Sequence, residues 1–340
     1  MKKMCVIGAG SWGSALALSL HKNNHKVFMW TRDEEQVKEI NDTRKNSKFL
    51  PKIIFPQNLI VSNNLEYVIK DSEIIVLGVP SQAVRSVCKQ IKPFVSSNQI
   101  LVDVAKGLEK GTGLRLSDVV KEELPNNPYV VLSGPSHAEE VCKFMPTTLV
   151  AACENIKYAQ EVQEAFMSPS LRVYTNPDVI GVELGGALKN IIAFGAGMCD
   201  GLGYGDNTRA ALMTRGIAEI GRLGVAMGAN VNTFTGLSGI GDLIVTCTSI
   251  HSRNRRAGML MGQGKNLQET LDEVQMVVEG ITATEVAYKV SRDLNIDMPI
   301  TEAIYSVLYQ GVNPNEAVLE LMTRTKKNEM EDVVNNGLFK

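Results

Sequence analysis

A strand, a glycine turn and a helix follow one another at the start of this chain, and that order constrains the fold more than any other feature. The apolar run Met4-Cys5-Val6-Ile7 leads into Gly8-Ala9-Gly10-Ser11-Trp12-Gly13, and the helical stretch Ser14-Ala15-Leu16-Ala17-Leu18-Ser19-Leu20 comes next. GxGxxG at a first strand-to-helix junction is a dinucleotide-binding fingerprint. One glycine permits the tight turn, one lets backbone N–H groups approach a pyrophosphate, and one lets helix and strand pack closely. The helix N-terminus then faces the phosphate charge. The bland alternative is a merely tight turn, and an α/β pattern around the motif weighs against it.

That pattern continues to about residue 175. The runs Lys26-Val27-Phe28-Met29-Trp30, Ile74-Ile75-Val76-Leu77, Ile100-Leu101-Val102-Asp103-Val104, Tyr129-Val130-Val131-Leu132 and Thr147-Thr148-Leu149-Val150 alternate with helical stretches. Continuous apolar strands separated by helices predict an α/β fold, with a Rossmann-type, doubly wound, largely parallel sheet covered on both faces. Ligands of such sheets collect beyond the carboxyl ends of the strands. That rule singles out the glycine turn, Thr31-Arg32, Gly78-Val79-Pro80-Ser81, Ala105-Lys106-Gly107 and Ser133-Gly134-Pro135-Ser136. Beyond Pro177 the texture changes to long segments rich in Gly, Ala, Leu and Met. The expected division is therefore an NAD(P)-binding domain over residues 1–178 and an all-helical substrate-binding and catalytic domain over 179–340, with the proline favouring a helix start. The polar tail after Lys326 is expected to fray.

With 340 residues, 44% of them hydrophobic and 21% charged, the chain has the composition of an ordinary globular protein of two domains. A net charge of −2 gives no footprint for nucleic acid or an anionic membrane, so small-molecule partners fit better. The six cysteines, at 5, 88, 142, 153, 199 and 247, show no zinc-ligand spacing with the four histidines, and no metal is expected. They read as reduced core thiols. The first strand begins at once and no uninterrupted apolar stretch is long enough to span a bilayer, so the expectation is a cytoplasmic protein without signal peptide or membrane span.

Lys189 is the only charged residue between Leu184 and Cys199. A helix so apolar on all sides is expected to be buried, and an ammonium held there without a nearby carboxylate would lose hydration and move toward proton transfer at neutral pH. Oxidising an alcohol to a ketone needs such a base as hydride leaves, and the reverse reduction needs its conjugate acid. The competing reading is a lysine that snorkels to water. The surrounding glycines and Asn190 argue for close approach of another group. Lys106, at the ligand-facing end of a strand, could polarise a carbonyl or bind an anion, or be a solvated loop lysine. The glycine-rich run from Gly236 leads to His251-Ser252-Arg253-Asn254-Arg255-Arg256, a set of donors with no acid among them that suits a phosphate; an exposed basic helix start is the alternative. Asp242, alone in an apolar run, is expected to meet a lysine or a substrate hydroxyl. His137 lies near the crevice but shows no orienting partner, and ranks below Lys189. At the second strand's tip an acid reads the ribose of NAD and an arginine accommodates the phosphate of NADP. Thr31-Arg32-Asp33 carries both, so NADP is expected to be accepted and use of NAD stays open.

The glycine turn, Ala105-Lys106-Gly107, Ser133-Gly134-Pro135-Ser136-His137-Ala138, Ala187-Leu188-Lys189-Asn190, Gly239-Ile240-Gly241-Asp242-Leu243-Ile244-Val245-Thr246-Cys247 and Ser252-Arg253-Asn254 together resemble the bacterial NAD(P)-dependent glycerol-3-phosphate dehydrogenases. The resemblance covers nearly the whole chain. It implies NAD(P)-dependent, reversible reduction of dihydroxyacetone phosphate to sn-glycerol 3-phosphate, supplying glycerophospholipid synthesis. It implies Lys189 as general acid/base, with Lys106, Asp242 and Thr246 at the reacting end. Gly134, Ser136, Asn190, Ser252, Arg253 and Asn254 would then contact substrate. Gly8, Gly10, Ser11, Trp12, Gly13, Arg32, Lys106, Ala138, Arg253, Val277 and Glu279 would contact cofactor. Asp33 departs from the family pattern of further basic residues at the strand tip, which touches cofactor preference and not the reaction.

Two rival readings remain. One is another two-domain dehydrogenase of the hydroxyacid or 6-phosphogluconate type, against which the Ser252-Arg253-Asn254 group weighs. The other is a non-catalytic dinucleotide sensor, which has no need of Lys189. Helical second domains often pair, so a homodimer is expected by analogy.

Overall fold

The expected strands all form, and each lies within two residues of its expected span. In this computed structural model, which describes residues 1–326 and residue 329, the strands are β1 Lys3–Ile7, β2 Lys26–Trp30, β3 Lys45–Asn46, β4 Leu50–Ile54, β5 Ile60–Ser62, β6 Ile74–Leu77, β7 Ile100–Asp103, β8 Tyr129–Ser133, β9 Thr147–Ala152 and β10 Leu171–Asn176. The tail expected to fray lies, beyond Lys326 and apart from residue 329, outside the described residues. Eight strands make one sheet in the order β10-β9-β8-β7-β6-β1-β2-β5, and β3 pairs with β4 in a separate hairpin. Every neighbouring pair in the sheet is parallel except β8 with β9. Strands β5 and β10 and the hairpin carry too few apolar residues to stand out in the sequence.

Alternation within the strands gives the sheet its two cores. Met4, Val6, Val27, Met29, Ile74, Val76 and Val102 turn to one side, where Leu16 and Leu20 of the helix Ser11–Lys22 meet them. Cys5, Ile7, Phe28, Ile75, Leu77 and Leu101 turn to the other, against Val84, Cys88 and Ile91 of Val84–Ile91 and Val119 of Leu116–Glu123. Apolar residues on both faces are what a continuous run in a parallel strand requires.

Two compact units emerge, Met1–Glu183 and Leu184–Lys340. The division falls inside the helix Val179–Gly201, five residues beyond the expected start of the second domain at 179. This helix is long and apolar enough to cross a membrane, and 94% of its most apolar stretch is buried in the protein. From there to Thr323 the described residues form helices and turns only. Within the second unit, Val179–Gly201 crosses Arg253–Gly262 at backbone contact distance. A Cβ on Gly197 would lie 1.9 Å from the Arg255 carbonyl oxygen, and one on Gly258 would lie 1.9 Å from that of Phe194. Gly201 and Gly262 continue the seam one turn on. The close approach expected around Lys189 is therefore made, in part, by backbone.

Candidate active site

In the first unit the glycine turn sits where the strand order reverses, between β1 and β6, the position at which open α/β sheets hold their ligands. Gly8 takes φ +112°, a conformation that favours glycine, and a Cβ there would meet the Gly78 carbonyl oxygen at 2.4 Å. Gly13 lies so close to Gly8 that a Cβ would come within 2.1 Å of its carbonyl oxygen. Gly10 is different. Its backbone, at φ −71° and ψ −179°, suits any residue, and a Cβ there would meet nothing within 4 Å. Gly10 is also the N-cap of Ser11–Lys22 and contributes no side-chain bond to the helix amides. The indole N–H of Trp12 is buried without a partner among the described residues. Space at Gly10, uncapped amides and an orphaned donor fit a dinucleotide pyrophosphate and its neighbouring groups.

Sequence reading missed what holds this turn. The Ala9 carbonyl accepts from Gln36 Nε2 at 2.8 Å and from Asn46 Nδ2 at 2.9 Å, and Asn46 also donates to Ser14 Oγ. Asn46 is fully buried, although an asparagine in a polar stretch reads as a surface turn. Ser11 donates to the Phe49 carbonyl, so its hydroxyl ties the turn to the loop of the β3–β4 hairpin. At the tip of β2, Arg32 is exposed, while Asp33 caps the helix Glu34–Thr43 by accepting from Gln36 N. The acid that departs from the family pattern has a structural task.

The other loops picked out in this unit follow β6, β7 and β8, which run parallel to β1 and so end on the same edge. Lys106 Nζ donates to the Gly134 carbonyl at 2.9 Å, and Ser136 Oγ donates to the same oxygen. Gly134 itself takes φ +128°. Ala138 opens the short helix Ala138–Val141, with His137 as its N-cap.

In the second unit, Lys189 is buried, with its side chain 6% exposed. Its Nζ donates to Asp242 Oδ1 and to Thr246 Oγ1, the latter at 2.6 Å. Thr246 Oγ1 in turn donates a hydrogen bond to the Asp242 carbonyl oxygen one turn back. The carboxylate beside the lysine is Asp242, so of the two partners expected for Asp242 the lysine is one that the fold supplies. An adjacent carboxylate favours the ammonium, the form that donates a proton. The irregular turn Leu237–Gly241 delivers Asp242 to the start of the helix Asp242–Thr248. Ser238 in that turn rests against Gly185, where a Cβ would be 2.5 Å from its carbonyl oxygen.

Ser252 caps Arg253–Gly262 by accepting from Arg255 N at 3.2 Å, which leaves its hydroxyl hydrogen able to donate. Arg253 lies exposed at the first position of that helix. Arg255 is held by Asp200, Nε to Oδ2 at 2.7 Å, so the basic cluster has an acid partner that its own sequence window does not contain. Asn254 donates to Asn190 Oδ1 at 2.9 Å and accepts from Gly280 N at 2.8 Å. Asn190 and Asn254 therefore brace this end of the unit. Val277 is exposed and Glu279 begins the helix Glu279–Asp293. All six cysteines are buried and free of disulfides. Burial pushes Cys88 and Cys247 up to about 12 and Cys199 up to about 11, which removes them as nucleophiles at neutral pH.

Two family models match in sequence, the N-terminus of NAD-dependent glycerol-3-phosphate dehydrogenase over residues 3–159 and its C-terminus over residues 178–319. The chain belongs to this family. Among its relatives, a glycerol-3-phosphate dehydrogenase (NAD(P)+) of Thermoanaerobacter sp. is 54% identical over 97% of this chain and 100% of its own length. One from Pelotomaculum thermopropionicum is 55% identical over 97% of this chain and 96% of its own. A crystal structure of glycerol-3-phosphate dehydrogenase from Coxiella burnetii superimposes with a TM-score of 0.92 at 38% identity, covering 95% of this chain and 99% of that one. A glycerol-3-phosphate dehydrogenase thus has the Rossmann-type unit and the helical unit described above.

Proposed function

We propose that this member of the family catalyses the NAD(P)-dependent, reversible reduction of dihydroxyacetone phosphate to sn-glycerol 3-phosphate and supplies glycerophospholipid synthesis. The observation that carries the chemistry is the buried Lys189 ammonium held by Asp242 and Thr246. Reduction of a ketone places negative charge on the carbonyl oxygen, and a preorganised ammonium stabilises that charge and transfers a proton to it. Asp242 holds Nζ in place and offsets its charge, and Thr246 fixes the remaining direction. In the alcohol-oxidising direction the same nitrogen takes the hydroxyl proton. A bound nicotinamide supplies or accepts the hydride.

For the remaining contacts, Gly8, Gly10, Ser11, Trp12 and Gly13 hold the dinucleotide, assisted by Ala138, Val277 and Glu279. Exposed Arg253, with Ser252 beside it, binds the substrate phosphate and reaches the cofactor, which its position at a helix N-terminus supports. Lys106 serves substrate and cofactor from the turn beside Gly134 and Ser136. Asn190 and Asn254 line the substrate position and, through their mutual bond, keep it in register. A reducing, cytoplasmic setting is supported by the six free thiols.

A steady-state assay tests the reaction. Oxidation of NADPH or NADH is expected with dihydroxyacetone phosphate and not with short 2-keto acids; the reverse preference would refute the proposal. Arg32 is the NADP-reading residue in this scheme, because Asp33 is occupied as a helix cap. Arg32→Ala is expected to weaken NADPH about tenfold and NADH little, as loss of a charge-assisted phosphate contact would. Equal weakening of both cofactors in fluorescence titrations would remove that role from Arg32.

A further inference from the structure

Beneath the turn that carries Lys106, two buried carboxyl groups share one phenol. Asp103, the last residue of β7, is fully buried, and its Oδ1 accepts from Ala105 N at 2.9 Å, closing the turn just before Lys106. Its Oδ2 lies 3.1 Å from the Tyr129 hydroxyl, and that hydroxyl lies 2.9 Å from Glu183 Oε1. Glu183 is well supplied otherwise. It accepts from Ser117 N at 2.7 Å, Ser117 Oγ at 2.6 Å and Arg115 Nη1 at 3.0 Å, while Arg115 also pairs with Asp118 at 2.9 Å.

Counting protons decides the charge state. The phenol has one hydrogen and can donate to one carboxylate, so a second hydrogen bond at Tyr129 needs a proton on the other carboxyl. Glu183 has Arg115 as counter-ion, and Asp103 has no cation at hydrogen-bond distance among the described residues. The thiol facing Asp103 from Val84–Ile91, Cys88, is held protonated by its own burial and gives no positive charge. We infer that Asp103 carries a proton in mildly acidic solution and up to about neutral pH, donates a hydrogen bond through it to Tyr129, which donates in turn to Glu183, and in this form is a positioning residue for the Lys106 turn. In that arrangement every hydrogen has an acceptor, and the buried Glu183 charge lies beside Arg115, which the more exposed Asp118 shares. Ionised Asp103 would instead face the lone pairs of Tyr129, and a second buried charge would go uncompensated. Burial accordingly pushes Asp103 up to about 7, against the Ala105 N–H that favours its ionised form, with the Glu183 charge adding to the rise.

The sign of the pH effect follows. Between the ordinary aspartate range and about 7 the folded chain holds a proton that the unfolded chain has released, so this group's contribution to stability falls as pH rises through that window. Asp103→Asn keeps the shape and the hydrogen-bond pattern of the protonated acid, with its amide donating to Tyr129 and its oxygen accepting from Ala105. The variant is expected to melt above the parent at pH 8, with the gap narrowing as pH falls and closing only in the ordinary aspartate range near pH 4. Its infrared spectrum should lack a protonated-carboxyl stretch that the parent shows at pH 6 and loses at alkaline pH. Glu219, the other buried carboxyl pushed up to about 7, keeps its own band in both proteins as an internal reference. Resting on the dehydrogenase reading, the parent's KM for dihydroxyacetone phosphate should rise from pH 7 to pH 9 with little change in kcat, and the variant's should stay flat. The infrared and melting readouts need no substrate, so they fail independently of that reading. An Asp103→Asn spectrum that loses no carboxyl band, or a variant less stable than the parent at pH 8, would overturn the inference. Should the variant not fold, Tyr129→Phe replaces it: the Asp103 band must move when its acceptor is removed, and an unmoved band is equally fatal.

Discussion

Lys189→Ala is expected to retain dinucleotide binding and to lose at least about a hundredfold in kcat, the low end of what a positioned general acid contributes. The loss has to be separated from damage to the fold. Removing the ammonium takes the Lys189 charge away from buried Asp242, and breaking a buried ion pair costs about 3–5 kcal/mol of stability. Lys189→Arg makes the separation, because a guanidinium keeps the charge beside Asp242 and does not release its proton at any usable pH. The arginine variant should therefore melt closer to the parent than the alanine variant and still be slow by a similar factor. Pairing Lys189→Met with Asp242→Asn removes both charges and should recover stability without recovering turnover. Near-normal kcat in any of these proteins would show that the proton comes from elsewhere.

Two glycines of the same motif should respond in opposite ways, and this is the second large effect. In Gly13→Ala the new methyl lies 2.1 Å from a backbone carbonyl oxygen, which cannot rotate away, so β1 and the helix Ser11–Lys22 must separate. Overpacking of this kind costs about 1–3 kcal/mol, enough to lower Tm by several degrees. Gly10→Ala adds its methyl to open space, and its Tm should match the parent's. Its dinucleotide affinity should nevertheless fall at least tenfold, because that space is where a pyrophosphate must come against the helix amides. Melting curves together with fluorescence titration of NADPH distinguish the two. A Gly10→Ala protein with parental affinity would mean that the phosphates bind away from this turn.

The contrast between Gly10 and Gly13 shows where the sequence was legible. Motif spacing identified a dinucleotide turn and the α/β pattern located the five strands that follow it in the core, because both depend on residue types recurring at fixed intervals. The spacing could not say which glycine serves the ligand and which serves packing, since that depends on what lies opposite each Cα. Lys189 stood out as a charge in an apolar helix, yet its partner is 53 residues away and periodicity carries no information about such pairs. The condition under which Lys189 would lose its charge, no carboxylate nearby, is not met in the fold, and the lone Asp242 was the sequence clue to its partner. Gln36 and Asn46 were invisible for a related reason. Their composition is that of a turn, and only the fold brings both amides to the Ala9 carbonyl. Asp103 drew no reading of its own within the strand run Ile100-Leu101-Val102-Asp103-Val104. Its importance lies in the Tyr129 hydroxyl, which belongs to the neighbouring strand β8.

Where Gly197 and Gly258 cross, the interval between the helix bearing Lys189 and the helix that begins at Arg253 is fixed by backbone atoms, and backbone does not change when a side chain mutates. A core separated by leucines and isoleucines breathes with every exchange of one for the other, and a site built across it would have to be retuned each time. Here the gauge between Lys189 and Arg253, the proposed proton donor and the proposed phosphate ligand, is independent of the volumes packed around it. The surrounding Leu, Ile, Ala and Met positions of this unit can thus drift in sequence, while the dimensions on which the chemistry depends stay constant.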